Sequence, residues 1–215
     1  MKAFTFKVDE EFAKQNNEMI KDTRRLQWSA ITLGLILLAL SAAVFLWWGA
    51  DQAWGLIGGI ILLTFAVVSV IIAAVVPSKV GTAQDLYDTY PLAPAMIVEV
   101  NPRDFVIMAL VNTNVDPQLP PGWGLALRTV TRVNGIDKPT RGTKIPAVAV
   151  QGRRSLSNQT QWDEISPMPI AWATPDASVV ADARRAIPED QWTRLDKSRE
   201  LLRDVKATDY NLLVL

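Results

Sequence analysis

Two stretches of the chain carry no charge, Trp28 to Ala50 and Leu56 to Val76, and neither shows the alternation of a strand or the single stripe of a surface helix. At about 1.5 Å per helical residue each is long enough to cross a hydrocarbon core of roughly 30 Å. Asp51 to Gly55 alone separate them. A link that short forces antiparallel neighbours, so the pattern predicts a transmembrane hairpin over 26–77, with spans at about 27–49 and 56–76. A cleaved signal peptide would also place Lys21, Arg24 and Arg25 before an apolar run. Here the run is too long, residues of both charge signs precede it, and a second run follows almost at once.

Polar patterning differs on either side of the hairpin. Residues 1–25 open with Phe4, Phe6 and Val8 in alternation, then Asp9-Glu10-Glu11 predicts an N-cap and the acidic first turn of a juxtamembrane helix. Its thin apolar face, Phe12 and Met19, could lie on the membrane or on the soluble domain. Beyond Pro77 lie 12 of the 13 prolines, and residues 78–215 read as a separate domain. Ala95–Val100 and Phe105–Val111 flank Asn101-Pro102-Arg103-Asp104, a turn signal, and predict a hairpin. Trp123–Val133 and Ile145–Val150 predict two more strands. A fifth segment between Trp162 and Trp172 is broken by Pro167 and Pro169, which suit only an edge. Thr174-Pro175-Asp176 predicts a cap leading into a helix that ends near Ala186, and Pro188 stands at the N1 position of a second helix. On that helix Trp192, Leu195, Leu202 and Val205 share one face. Asn211–Leu215 is apolar and reads as a last strand or a tail buried by a partner. The fold class is an α+β membrane protein: a two-helix hairpin, then a small, mostly antiparallel sheet or partial barrel with C-terminal helices.

Composition removes several chemistries. With no cysteine and no histidine, the chain has no disulfides, thiol nucleophile, Cys/His metal or haem site, or imidazole acid-base group. No tight carboxylate cluster replaces them, and no cofactor is expected. Ionisable residues are absent from the middle of both spans, which argues against a transporter, pump or proton relay.

What the hairpin does offer is anchorage and packing. Trp47, Trp48 and Trp54 gather at the turn and Trp28 marks the other end, as expected of rings at headgroup level. Lys21, Arg24 and Arg25 before the first span and Lys79 after the second, against Asp51 alone in the turn, place both termini in the cytoplasm of a plasma-membrane protein with two spans. Gly55 and Gly59 form a GxxxG pair, and Ala39 with Ala43 and Ser69 with Ala73 form small-xxx-small pairs. Such pairs permit close backbone approach, either to shut the hairpin on itself or to dock it on helices of another protein.

In the soluble domain the most polarised stretch is Arg128 to Arg154. Arg128, Arg132, Lys138, Arg141, Lys144, Arg153 and Arg154 stand against Asp137 alone, seven minus one, or +6. If they share a face, it would attract anionic headgroups or an acidic partner; if they fall on different faces, they are ordinary solvated charges. Nucleic acid is not an expected partner, since no recognition motif accompanies the charge and the chain is neutral overall. Gly122, Gly124, Gly135 and Gly142 match no phosphate loop, and Ser155, Ser157 and Ser166 have no histidine partner. Trp123, Trp162, Trp172 and Trp192 read as core residues or partner anchors.

The hairpin followed by Ile145-Pro-Ala-Val-Ala-Val-Gln-Gly-Arg-Arg, by Ile165-Ser-Pro-Met-Pro-Ile-Ala-Trp, and by Ile187-Pro with a Trp192-bearing helix resembles an uncharacterised family of actinobacterial, chiefly corynebacterial, membrane proteins with a C-terminal domain of unknown function. That resemblance brings no catalytic residues. More loosely, small two-span proteins of this kind are similar to accessory subunits of the actinobacterial respiratory supercomplex, which joins a cytochrome bc complex to an aa3-type cytochrome oxidase. The expectation is therefore a non-enzymatic accessory or assembly subunit, with membrane lipids and subunits of those cytochrome complexes as partners. The alternative is a membrane-tethered domain that binds lipid, an envelope precursor or another ligand.

Overall fold

The computed structural model describes residues 4–49, 51–116, 118–155 and 159–215. Ala50 and Ser157 lie outside them, as does the side chain of Lys79. The chain forms two compact units, one from residues 19–81 and the other from the chain up to Glu18 together with residues 82–215.

In the first unit, α2 (Glu18–Trp48) and α3 (Ala53–Val80) run as long helices, α2 being counted after the short α1 (Glu10–Asn16). Both are long and apolar enough to cross a membrane, and most of each apolar window is exposed rather than buried. A core helix of a soluble protein would show the reverse. Ala30, Gly34 and Ser41 of α2 are buried, as are Gly55, Gly59, Ala66, Ser69 and Ala73 of α3. The spacing of four and three residues along α3 is that of a helix-pair seam, and every member is small.

The second unit is a six-stranded antiparallel sheet in the order β5-β4-β1-β2-β3-β6, curled into a half-barrel. Its strands are β1 (Leu92–Val100), β2 (Phe105–Asn112), β3 (Trp123–Val130), β4 (Lys144–Gln151), β5 (Ile165–Pro169) and β6 (Leu212–Val214). The expected hairpin is β1–β2, and β5 is an edge strand as its prolines require. β1 starts three residues before its expected first residue Ala95, at Leu92, despite Pro94. That proline faces Pro146 across the β1–β4 ladder, and the β2 register begins only at Ala95, so its nitrogen meets no acceptor on either side. A bulge between Ile97 and Glu99 bends β1 and helps the sheet curl.

β3 ends at Val130, short of the expected Val133. The cause is long-range: the Thr131 and Arg132 N–H groups donate to the Glu18 carboxylate, at 2.8 and 3.1 Å, instead of extending a ladder. The C-terminal tail is β6, paired with β3. The N-terminal segment folds with this unit. Asp9 caps α1 by accepting from the Phe12 N–H at 3.0 Å, and its own N–H donates to the Ala173 carbonyl at 3.0 Å.

Three helical details differ from expectation. A helix absent from the sequence reading, α4 (Ala83–Thr89), opens with a capping box in which the Thr82 hydroxyl accepts from the Asp85 N–H and the Asp85 carboxylate accepts from the Thr82 N–H. The T-x-x-D spacing is an open signature of such a start. The C-terminal helices are α5 (Ala177–Ala186), α6 (Glu189–Lys197) and α7 (Leu202–Lys206). Pro188 is the N-cap of α6 rather than its first residue. The helix expected through Val205 tightens into a 3-10 turn at Ser198–Leu201, where the Ser198 hydroxyl donates to the Arg194 carbonyl at 2.9 Å. Trp192, Leu195 and Val205 are nonetheless buried, as their shared face demands.

Candidate functional site

The basic stretch separates into three places. Arg128 turns toward the gap between β3 and β5, donates to the Ser166 hydroxyl at 2.7 Å, and lies 5.3 Å above the Trp172 ring. Arg132, Lys138 and Arg141 are exposed on the loop 131–143, and Lys144 follows at the start of β4. Arg153 and Arg154 lie beyond the other end of that strand. Eight residues of β4 separate the two groups, a span of roughly 26 Å at about 3.3 Å per residue. The seven cations therefore form no single face.

Aromatic rings absorb several of them. Lys144 lies over Trp192, Arg154 over Trp162, Arg153 over Tyr210 and Arg194 over Trp123, each within 5.3 to 5.6 Å of the ring centroid. With Arg128 over Trp172, every tryptophan of the soluble unit carries a cation on its face. Such contacts arise roughly once per 70 to 80 residues in ordinary proteins, so here they are a principal use of the basic residues. To the core role expected of these tryptophans the structure adds a second one, as seats for cations. Trp172 and Trp192 are also fully buried core residues.

Where the half-barrel remains open, a buried polar node replaces a ladder. The Tyr87 hydroxyl donates to the Pro169 carbonyl at 2.8 Å and accepts from the Asn17 side chain at 3.3 Å, and both residues are wholly buried. Burial pushes the Tyr87 hydroxyl well above its ordinary range, so it remains a neutral donor. Beside it the Trp172 indole donates to the Arg132 carbonyl at 2.6 Å. Sequence reasoning missed Asn17, Glu18 and Tyr87, because their partners lie 70 or more positions away. Local pattern carries no sign of such pairings.

Two of the concavities among the described residues adjoin members of the basic stretch. One, of about 340 Å³, is polar and lined by Arg153, Trp162, Asp163 and Tyr210 among others, with the buried Trp162 indole N–H unpartnered. The second, of about 380 Å³, lies between the loop 131–143 and α5, with Val133, Ile136, Ile145, Pro146, Ala171 and Val180 on its walls. Both fall in the size range of small-ligand sites.

Among the described residues no group of three carboxylates could hold a metal ion. Ion pairs among the described residues of this unit include Lys206 with Glu99 at 2.8 Å, Lys144 with Glu189 at 3.1 Å, Arg199 with Asp196 at 3.1 Å, and Arg185 with Asp182. The Lys206 ammonium bonded to Glu99 holds that carboxyl below the usual range, and Asp176 is lowered by the Ser178 hydroxyl and N–H it caps. Each shift has a structural cause.

On the hairpin, Gly55 and Gly59 are in the seam. A Cβ on Gly59 would sit 2.3 Å from the Phe45 ring, and one on Gly55 would sit 2.1 Å from the Gly49 carbonyl oxygen. The Ser41 hydroxyl donates to the Gly59 carbonyl at 2.8 Å across the same seam. Ser69 and Ala73 are buried there too, whereas Ala39 and Ala43 face outward. Trp28, Trp47, Trp48 and Trp54 are all exposed, Trp47 to 86% and Trp54 to 84%.

Residues 78–203 match the sequence profile of DUF3239, a protein family of unknown function. A crystal structure of "a putative membrane protein from Corynebacterium diphtheriae" is 60% identical with a TM-score of 0.56, covering 58% of this chain and 99% of that one. No curated protein matches. The corynebacterial membrane family expected from Ile145–Arg154 and Ile165–Trp172 is thereby found, and neither match bears on the looser likeness to respiratory subunits.

Proposed function

We propose that this chain, which belongs to the DUF3239 family, is a non-catalytic accessory or assembly subunit that docks through its hairpin on a larger membrane complex. The observation that carries the reading is the division of labour on the two helices. The buried seam positions are Gly, Ala and Ser, and the outward surface holds mainly Leu, Ile, Val and Phe side chains with Ala39 and Ala43 among them and no ionisable group between Trp28 and Trp48. Such a surface can pack but not transport. In the soluble unit several charges are held in ion pairs or on aromatic rings, which suits a brace better than a reaction centre.

In this reading both termini and the soluble unit are cytoplasmic, because Lys21, Arg24 and Arg25 precede the first span while the turn carries only Asp51. The chain has no cysteine, so single cysteines report without background. One placed at Gln52 should react with an impermeant maleimide in intact cells, and one at Lys138 only after lysis. The opposite pattern rejects the orientation.

The particular complex we put forward is the respiratory supercomplex of cytochrome bc and aa3 oxidase, supported only by the likeness of its small two-span subunits. Gentle detergent extraction of a tagged full-length chain should bring down stoichiometric membrane partners, with haem absorbance if the complex is respiratory. Partners without haem reject the supercomplex and keep the subunit; a lone monomer rejects both.

A further inference from the structure

The two edges of the half-barrel are finished differently. Along β5 the Gly152 N–H donates to the Glu164 carbonyl at 2.9 Å, and alternation down the ladder then turns Ser166 and Met168 toward β4 and Pro167 and Pro169 outward. An outward proline offers no donor, and the Pro169 carbonyl already accepts from Tyr87. That edge is closed to another strand. Along β6 the Leu127 N–H donates to the Asn211 carbonyl and the Leu215 N–H to the Trp123 carbonyl, each at 2.9 Å. With Leu213 opposite Leu125 between them, the backbone groups of Leu212 and Val214 point away from β3. Those groups have no partner among the described residues, and Asn211-Leu-Leu-Val-Leu carries neither charge nor proline to keep another strand away.

This open edge is a wall of the polar cavity of about 340 Å³: Leu212 and Val214 line it, and Leu213 does not. The rest of the lining comes from Arg153 after β4, from Trp162 and Asp163 before β5, and from Asp209 and Tyr210 ahead of β6. Asp163 and Asp209 are offset by Arg153 on the Tyr210 ring and Arg154 on the Trp162 ring, so the slot favours neither a phosphate nor a cation. It suits a neutral ligand rich in hydrogen-bonding groups. The buried Trp162 indole N–H, which has no acceptor, is one group such a ligand would satisfy. A sugar shares that chemistry, but both rings already hold a guanidinium, and the edge repeats the spacing of a strand, one outward N–H and C=O every second residue, roughly 7 Å apart. We propose that the slot takes an extended, uncharged peptide segment of another protein as a further strand beside β6, bonded through its backbone to Leu212 and Val214. A single extended chain is the occupant rather than the sheet edge of a second copy. β6 is three residues long, and Trp162 and Arg153 stand where the rest of a folded sheet would continue. The site stands whether or not the hairpin docks on a larger complex.

The test presents the full-length chain, in phosphatidylcholine nanodiscs, to a phage library of short random peptides, with Val214→Pro as the counter-target. The proline removes an outward N–H and leaves the Leu213 bonds to β3 in place, which unchanged hydrogen exchange at Leu125 and Leu127 verifies. Peptides enriched on the unmodified chain should bind it about five- to tenfold more tightly than they bind Val214→Pro, the loss expected of one net hydrogen bond. N-methylation of a selected peptide reads the geometry with no variant of the protein. Methyl groups on every second amide should abolish binding in one register and spare it in the other, since only alternate residues of a strand bond to a given neighbour. Failure to enrich any peptide, or enriched peptides that bind both chains equally, overturns the proposal. Equal loss in the two registers overturns strand pairing, and displacement of the peptide by millimolar maltotriose overturns the peptide as the class of ligand.

Discussion

The hairpin and the half-barrel solve the same problem, bringing backbones together, with opposite materials. In the hairpin the buried positions are Gly, Ala and Ser, with Phe45 over Gly59 and Val70 beside Gly34, and large side chains such as Leu35, Ile57 and Phe65 face away. In the half-barrel the interior holds Trp172, Tyr87, Met108 and Ile97, and the charges stay outside or lie on aromatic faces. The solvent explains the inversion. Lipid gives no reward for hiding a leucine, so helices associate through close van der Waals approach. Water does give that reward, about 25 cal/mol per Å² of apolar surface, and the soluble unit collects it with its bulkiest residues.

The sharpest way to break that contrast is to enlarge the seam. Gly59→Leu forces a side chain into the Phe45 ring, 2.3 Å from where its Cβ would stand, while Gly58→Leu meets nothing nearer than Val44 at 3.6 Å. Unfolding of the full-length chain in mixed micelles, followed by tryptophan fluorescence, should show the first variant destabilised by about 2 to 3 kcal/mol and the second nearly unchanged. Equal effects would mean that the seam is not held by close packing.

Sequence legibility follows the same division. The hairpin was legible because its signals are local: two charge-free runs, a turn of a few residues, tryptophans at the ends. The strands β1, β2 and β4 and the helix α5 were legible within about three residues at each end, and α6 at its start, from apolar runs, the Asn101-Pro102 turn, the Thr174-Pro175-Asp176 cap signal and Pro188. α4 was legible and unread, its start written in Thr82 and Asp85. What no window of sequence could reveal is where long-range polar contacts intervene. β3 stops at Val130 because Glu18 takes the next two amides, and Arg128 leaves the supposed basic face because Ser166 and Trp172 wait across the gap. The direction of the seam also lay beyond the pattern. Ala39-Ala43 and Gly55-Gly59 look alike in sequence, yet only the second pair is enclosed.

The contrast predicts a smaller effect on the water-soluble side, where the exception to apolar packing is the polar node at the open edge. Tyr87→Phe keeps the ring against Phe6, 5.5 Å away, and removes only the hydroxyl. The Pro169 carbonyl then loses its donor and the Asn17 amide loses one of its acceptors. A buried group left unmatched costs about 1 to 3 kcal/mol, so denaturant unfolding at neutral pH should show the variant less stable by that amount. Raising pH tests the same hydroxyl in reverse. Burial raises its pKa above the ordinary value of 10.0, so the unfolded chain releases this proton first. The stability linked to the proton is full below pH 10 and declines as pH rises beyond it, since the native state there binds more protons than the unfolded one. Phenylalanine has no proton to lose. Measured between pH 9 and 11, about the ordinary tyrosine range, the native chain should therefore lose stability faster than Tyr87→Phe, and the gap between them should narrow. A gap that stays constant across that range would show that the Tyr87 hydroxyl reaches water, and with it that the open edge of the half-barrel is solvated rather than sealed.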